Sequence, residues 1–289
     1  MPTHPRVAVA TCAALPDLHE DDALLLPALA EVGVDAVPAV WDDPGVDWSV
    51  YDLVVVRSTW DYVPRREQYL AWARSVPRLA NPAEVLAWNT DKRYLRELAA
   101  AGVPVVPTTW LEPGDRYVPP PGEHVVKPTV SANAADTARY AAGADSTDHV
   151  RRLLDAGRPV MVQPYLASVD ADGETAVVSV GGEYSHTARK APVLVPDLVD
   201  PEDVEITARD PSVAERAVAD TALAAVAWDD LLYARVDLVP GPDGSPVVIE
   251  LELAEPSLFL GTAPVAAERL AAAIAARVAG PVAVRPAPR

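Results

Sequence analysis

The sequence predicts two kinds of architecture in one chain, a parallel α/β unit followed by α+β units. Near the N-terminus, short apolar strands alternate with helical segments, a pattern typical of βαβ crossovers. Further along, helices alternate with strand pairs joined by tight turns, which indicates antiparallel sheets. The N-terminal strands are expected at residues 7–12, 34–40 and 53–56, with a helix over residues 21–32 between the first two. The expected units are residues 1–88, 89–166 and 167–289.

Composition excludes several classes of protein. Half of the 289 residues are hydrophobic, enough for a large core. The net charge of −18 would repel a phosphate backbone, so we expect no nucleic-acid partner. The single Cys12 excludes an internal disulfide framework. No apolar run reaches the roughly 18 residues of a membrane helix, and no signal peptide is evident, so we expect a cytoplasmic protein without membrane contact.

Residues 231–254 have the pattern of a β-hairpin. Both flanks alternate with a period of two, and Asp243-Gly244 is a favoured turn centre. A turn centred there is expected to pair Asp237 with Glu250 across the two strands, and Arg235 with Glu252. The other face of the hairpin is expected to carry Val236, Leu238, Ile249 and Leu251.

Opposed carboxylates at Asp237 and Glu250 would repel each other across the sheet. A divalent cation relieves such repulsion, because Mg²⁺ takes oxygen ligands, commonly one or two carboxylates together with phosphate oxygens and water. A solvated hairpin face on which both acids meet water is the alternative, and the pattern alone leaves both open.

A second hairpin is expected to turn at Gly181-Gly182, which places Glu174 opposite Arg189. This pair is compatible with an ordinary cross-strand salt bridge. Alternatively, Arg189 and the neighbouring Lys190 supply the positive charge that phosphate transfer needs.

Two further lysines stand in unusual positions. Lys127 lies in an apolar strand at 123–128, where an unpaired ammonium would be costly to bury, and a flap-like run of small polar residues follows it. Lys92 lies in the first turn of a helix expected to be capped by Asn89 or Thr90, where the helix dipole disfavours a cation. A bound phosphate would account for both, although a solvated lysine is the simpler interpretation of each.

Two other segments are candidates for binding. The apolar strand 160–166 contains Pro164, which interrupts pairing and leaves free backbone groups suited to an adenine edge. The run 57–62 directly follows the third predicted strand, and ligands of parallel sheets bind beyond the carboxyl ends of the strands.

In chain order these features resemble the ATP-grasp superfamily across nearly the whole sequence. The segments WNTDKRYLRELAAAGVPVVPT, VVKPTVSANAADTARY and YARVDLV with IELELAEPSLFL look closest to the O-ureido-serine cyclo-ligase group of cycloserine biosynthesis. Glutathione synthetases and ribosomal-protein glutamate ligases are more distant relatives. The resemblance implies an ATP-grasp fold, with an N-terminal parallel-sheet domain followed by two α+β subdomains that clasp ATP, and a homodimer.

The resemblance also implies roles for individual residues. The implied ATP contacts are Lys92, Lys127, Ser131, Gln163, Tyr165, Leu166, Asp170 and Glu174. Arg189 and Arg235 would stabilise charge during catalysis. The implied ligands of two Mg²⁺ ions, with Mn²⁺ as an alternative, are Asp237, Glu250 and Glu252. An amino-acid-like substrate would be held by Arg57, Ser58, Thr59, Asp61 and Ser257.

Two departures from the superfamily pattern concern these assignments. Glu250-Leu251-Glu252 stands where Glu-x-Asn is usual, and we interpret the second glutamate as a ligand. Asn133-Ala134-Ala135 stands where a flap is usually rich in glycine, which leaves Ser131 as the better phosphate donor.

The resemblance implies a carboxylate–amine ligase or cyclo-ligase that proceeds through an acyl phosphate and releases ADP and phosphate. Two other functions remain open at this point. A small-molecule kinase on the same scaffold would make a stable phosphorylated product without an amine. A non-catalytic nucleotide-binding module would tolerate loss of the Asp237 or Glu250 carboxylate.

Overall fold

The computed structural model describes residues 4–194 and 204–280. Three sheets follow one another along the chain, one parallel and two antiparallel. The predicted combination of α/β and α+β architecture is therefore confirmed. Within these residues no helix is both long and apolar enough to cross a membrane.

The N-terminal sheet is parallel, in the order β2-β1-β3-β4. Its central strands are apolar on both faces because helices cover each side of the sheet. The strands are β1 (Arg6–Thr11), β2 (Asp35–Val40), β3 (Leu53–Val56) and β4 (Leu79–Ala80). The helices are α1 (Glu20–Ala23), α2 (Leu25–Glu31), α3 (Arg66–Ser75) and α4 (Ala83–Asn89).

Two helix predictions need correction. The helix expected over 21–32 is two helices, and Pro27 lies in the first turn of the second, where a missing N–H costs least. The helix that was expected to contain Lys92 begins at Tyr94 and not at Asn89, because Asn89 ends the preceding helix. Lys92 therefore lies in the turn between them. The Asn89 side chain instead donates to the Leu251 carbonyl and accepts from the amides of Leu253 and Ala254.

The central sheet is antiparallel, in the order β5-β8-β6-β7, and one helix packs on it. The β8 strand ends at Pro164, as the sequence indicated. The strands of this central sheet are β5 (Thr109–Leu111), β6 (His124–Pro128), β7 (Ala138–Tyr140) and β8 (Val160–Pro164). The helices of this region are α5 (Tyr94–Ala100) and α6 (Thr147–Asp155).

The third sheet is antiparallel, in the order β11-β10-β9-β12-β13. Its strands are β9 (Glu174–Val180), β10 (Glu183–Lys190), β11 (Ile206–Ala208), β12 (Tyr233–Pro240) and β13 (Pro246–Glu252). Its helices are α7 (Ser168–Asp172), α8 (Val213–Ala224) and α9 (Ala266–Ala279). The last helix shares its apolar core with β1 and α2 of the N-terminal sheet. The limits of the three predicted units stay a prediction.

The β12–β13 hairpin has the predicted pairs around its acidic residues. Asp237 lies opposite Glu250, and Arg235 lies opposite Glu252. A bulge follows, because Leu238 pairs with Val248 and leaves Ile249 as an extra residue. The prediction that Ile249 shares the buried face is therefore wrong. It packs instead with a separate apolar cluster that includes Val106, Val169 and Val239.

The β9–β10 hairpin departs from its predicted register. The pairs beside the Gly181-Gly182 turn are regular, but a bulge at Ser185 shifts the rest of β10 by one residue. Arg189 consequently lies opposite Thr175, and Lys190 lies opposite Glu174. The predicted pairing of Glu174 with Arg189 is wrong.

Candidate active site

A cavity of about 510 Å³ lies where the three sheets meet. Most of the predicted site residues line it, although they come from distant parts of the chain. Those lining it are Lys92, Lys127, Ser131, Gln163, Tyr165, Leu166, Glu174, Arg235, Glu250, Glu252 and Ser257. Those that do not are Arg57, Ser58, Thr59, Asp61, Asp170, Arg189 and Asp237.

All three lysines of the sequence, Lys92, Lys127 and Lys190, line this cavity. Lys92 pairs with Glu250 at 3.0 Å, and its ammonium also donates to the Ser131 carbonyl at 2.7 Å. Burial opposes ionisation of Lys92, but Glu250 outweighs it and raises the pKa of the lysine. The turn before α5 is thus tied both to the acidic strand β13 and to the start of the flap.

Lys127 differs from the other two lysines because no ion pair neutralises it within the described residues. Its side chain is buried in β6, and this burial lowers the pKa of its ammonium. Lys190, by contrast, pairs with Glu174 at 2.6 Å, and its pKa is raised by that carboxylate in spite of burial. A buried cation without a counter-ion indicates a place for an anionic ligand.

Arg235 joins the acidic residues of the β12–β13 hairpin. Its guanidinium donates twice to Asp237, at 2.8 Å each, and also pairs with Glu252. A further bond of 2.8 Å reaches the Ser257 carbonyl, and the charge lies 5.1 Å from the centre of the Phe259 ring. Arg235 is therefore fixed in the cavity wall by both strands and by the loop that follows β13.

The predicted metal ligands are not equivalent in this arrangement. Glu250 and Glu252 face the cavity, whereas Asp237 is 1% exposed and both its oxygens accept from Arg235. Burial raises the pKa of Glu252, with Glu250 and Asp237 adding like charge. Among residues 4–194 and 204–280, no three His, Cys, Asp or Glu side chains are grouped as a ready metal site. The pair Glu250 and Glu252 still fits Mg²⁺, which needs only one or two carboxylates beside phosphate oxygens and water.

The apolar end of the cavity lies at the end of β8. Gln163 is buried and donates to the Thr108 hydroxyl at 2.9 Å, while Tyr165 lies in the cavity wall. Arg139 stacks 3.5 Å from the Tyr165 ring centre and pairs with Asp170 at 2.9 Å. Asp170 therefore supports the end of β8 from outside the cavity. Of Asp170 and Glu174, both implied as ATP contacts, only Glu174 lines the cavity.

The flap between β6 and β7 takes left-handed backbone without glycine. Asn133, Ala134 and Asp136 have φ angles of 48°, 53° and 55°. Asp136 pairs with Arg152 at 3.1 Å and with Arg158, which tie the flap to α6 and the loop beyond it. Left-handed backbone is strained for residues other than glycine, and these ion pairs help to hold it.

The predicted substrate segment after β3 has a different position. Arg57 and Ser58 are fully buried, and both donate to the buried Asp22, at 2.7 Å each. Thr59 contacts the Tyr69 hydroxyl, and Asp61 accepts from the Trp41 indole. None of the four lines the cavity, because buried polar groups need partners and these found theirs in the N-terminal core.

The same segment does contribute to the cavity through Trp60 and Tyr62, which belong to the predicted run 57–62 but were not among the individual substrate contacts. The structure adds His19, Glu255 and Phe259 to the wall as well. Burial raises the pKa of the Glu255 carboxyl to about 7. A sequence signal existed for Lys190, since it is one of only three lysines, but none existed for Glu255 beyond its position just after the acidic strand.

Comparisons with known proteins identify the family. A family model for the N-terminal domain of the D-cycloserine synthetase DcsG matches residues 7–81. The cycloserine biosynthesis protein DcsG of Streptomyces lavendulae is 42% identical over 276 residues, which cover 88% of this chain and 92% of that protein. The chain belongs to the D-cycloserine synthetase family of ATP-grasp ligases. The predicted superfamily and enzyme class, an ADP-forming ligase that joins carbon to nitrogen, are confirmed by this membership.

Solved structures agree with the family assignment. The crystal structure of D-cycloserine synthetase DcsG has a TM-score of 0.88 at 40% identity, covering 94% of this chain and 99% of that one. D-alanine–D-alanine ligase from Bacillus anthracis, complexed with ATP, has a TM-score of 0.65 at 13% identity, with coverage of 95% and 97%. The second likeness shows the ATP-grasp fold alone. The individual roles of the cavity residues in this family member stay predictions.

Proposed function

We propose that the chain is a cyclo-ligase that activates the carboxylate of an O-ureido-serine-like amino acid with ATP. The substrate carboxylate oxygen bonds to the γ-phosphorus, and the bond from that phosphorus to the bridging oxygen of ADP breaks. A nitrogen of the same molecule then attacks the acyl carbon, phosphate leaves, and the nitrogen loses its proton to solvent. The similarity to DcsG across nearly the whole chain supports a cyclising substrate.

The observation that carries this proposal is the unneutralised, buried ammonium of Lys127. It lies in the same cavity wall as Lys92 and Lys190, each already paired with a carboxylate. Together the three lysines would bind the phosphates of ATP, with the flap above them supplying Ser131. The end of β8, at Gln163, Tyr165 and Leu166, would take the adenine.

Glu250 and Glu252 would hold Mg²⁺, which when bound neutralises phosphate charge. Arg235, fixed beside them, would stabilise the charge that develops as the phosphoryl group is transferred. Asp237 holds Arg235 in that orientation, and its predicted role as a third metal ligand requires it to leave this pair. The predicted homodimer is part of the same proposal.

Product analysis tests the reaction. ATP and O-ureido-serine should give ADP and phosphate in equal amounts, together with a ring product that is lighter than the amino acid by one water while it keeps the carbamoyl group, and by a further HNCO once that group is lost. Formation of AMP would contradict the acyl-phosphate route, and a stable phosphorylated amino acid would favour the kinase. Omitting Mg²⁺ should abolish turnover.

The lysine content offers a second test that needs no turnover. An amine-selective acetylating reagent can modify only Lys92, Lys127, Lys190 and the N-terminal amine. Of the three lysines, Lys127 should react fastest, because its lowered pKa leaves more neutral amine at a given pH. ATP should protect all three lysines but not the N-terminus, as read by peptide mass spectrometry. Unchanged labelling in the presence of saturating ATP would contradict the proposed phosphate site.

A further inference from the structure

The loop from Glu255 to Gly261 contributes Glu255, Ser257, Phe259 and Gly261 to the wall of the cavity. It leaves β13 three residues beyond Glu252, so it lies beside the carboxylates at which the γ-phosphate is proposed to be transferred. Trp60 and Tyr62, from the segment after β3, line the same end of the cavity. We therefore expect a substrate whose carboxylate approaches the γ-phosphate to contact this wall.

Side chains from several elements fix the backbone of this loop. The Glu255 carbonyl accepts from the Trp60 indole at 2.9 Å, and the Leu258 carbonyl contacts the His186 ring at 2.7 Å. The amides of residues 260 and 261 donate to the Asp21 carboxylate at 2.9 and 2.8 Å. Arg57 and Arg235 bind the carbonyls of Pro256 and Ser257. A loop held at so many points keeps its side chains in position before the substrate arrives.

The Glu255 carboxylate has no cationic partner in the described part of the chain. It contacts the neutral hydroxyl of Tyr62, a side chain that is itself 2% exposed. Of the other half-buried carboxylates of the cavity, Glu174, Glu250 and Glu252 are each paired with a lysine or an arginine, and Asp21 accepts from the two amides of the loop. The cavity thus contains a cation at Lys127 and a carboxylate at Glu255 that no ion pair of the described residues neutralises.

We infer that Glu255 binds the α-ammonium group of the amino-acid substrate, with the Trp60 ring beside it. This inference rests on the proposed function, since it concerns the substrate of that reaction. A carboxylate in a partly desolvated wall is a strong acceptor for an ammonium, and an indole face adds attraction for the same charge. The α-amine held in this way takes no part in bond formation, so Glu255 determines which carboxylates are accepted.

The test compares two ligands and two variants. The ligands are O-ureido-serine and the matched acid that lacks only the α-amino group, each titrated calorimetrically in the presence of a non-hydrolysable ATP analogue and Mg²⁺. Wild-type protein should bind the amino compound about 30-fold more tightly, the scale of a charge-assisted hydrogen bond. Glu255→Gln should lose that preference and bind the two ligands equally. The control Glu84→Gln, an isosteric change at an exposed glutamate outside the cavity, should keep it.

Three results would overturn the inference: a wild type without preference for the amine, a Glu255→Gln variant that keeps the preference, or an equal loss of affinity for both ligands. The last would mean that Glu255 only maintains the cavity. The calorimetric titration measures binding and does not depend on turnover, whereas ADP release measures the proposed reaction. If the proposed reaction is wrong but the inference about Glu255 is right, the protein will prefer the amino compound and yet release no ADP with either ligand.

Discussion

Two hairpins of one sheet, β9–β10 and β12–β13, supply the charged wall of the cavity, and each contains one extra residue. In β9–β10 the extra residue is Ser185, three positions past the Gly181-Gly182 turn. In β12–β13 it is Ile249, directly before the acidic pair. Each bulge decides which side chains further along the strand face the cavity, because a shift of one residue exchanges the two faces.

The consequences of the two bulges are opposite. Beside the Gly181-Gly182 turn the pairing is regular, so the Ser185 bulge moves Lys190 into the position that strict pairing would give to Arg189. In β12–β13 the pair nearest the turn, Pro240 with Pro246, is one residue out of the register centred on Asp243-Gly244. The Ile249 bulge then restores it. The acidic pair was correctly predicted because two offsets cancel.

The largest expected effect is a loss of activity on substitution of Lys190 that substitution of its neighbour Arg189 does not cause. Lys190→Met should lower kcat/KM for ATP by about 10²- to 10³-fold, the range seen when one charge-stabilising group is removed. Arg189→Met should change it by less than about threefold, because Arg189 is outside the cavity and donates to the Ala171 carbonyl. Steady-state ADP release at saturating amino acid measures both.

A folding control accompanies this comparison. Lys190→Met leaves Glu174 as an unpaired carboxylate, which costs stability on its own. The double variant Lys190→Met/Glu174→Gln removes that charge and should recover the melting temperature without recovering activity. Equal losses from Lys190→Met and Arg189→Met would contradict the assigned register.

The order of elements and their chemistry could be predicted from the sequence because both depend on local patterns. The apolar strand β3, the Asp243-Gly244 turn and the isolated strand lysine Lys127 are all visible in short windows. The bulge at Ser185 was not predictable in this way. It is held by contacts from distant segments, since Arg269 donates to the Ser185 carbonyl and His186 contacts Leu258.

The substrate end shows the same limit. Arg57 and Ser58 are polar residues at the carboxyl end of a parallel strand, so they were reasonable ligand candidates. Their partner is Asp22, which precedes them by more than thirty residues and which nothing in the local pattern marks as buried. Whether such a polar group faces a cavity or a buried partner depends on long-range packing.

The Ile249 bulge predicts different outcomes for adjacent residues. Val248 is fully buried in the core, so Val248→Ala should lower the free energy of unfolding by about 2 kcal/mol. Ile249 lines the cavity near Val106 and Val169, so Ile249→Ala should mainly raise the KM for ATP, by about fivefold, the effect of losing a few buried methylenes. Urea denaturation and ATP titrations measure the two effects. A regular β13 without the bulge would predict the reverse.

The smallest expected effect concerns His186, next to the Ser185 bulge. Its ring contacts the Ser185 hydroxyl at 2.9 Å, and burial lowers its pKa from the ordinary 6.5. As the pH falls below 6.5, the imidazole of the unfolded chain is protonated before the imidazole of the folded chain, and this favours unfolding. The stability that neutral His186 contributes is therefore complete above pH 6.5. It is lost progressively below that pH, until the folded-state pKa is reached. Between about pH 7.5 and 5.5 wild-type protein should lose about 1 kcal/mol more than His186→Gln in urea denaturation, whereas the exposed control His4→Gln should behave as wild type. Equal pH dependence in all three proteins would mean that the bulge tolerates a charged imidazole.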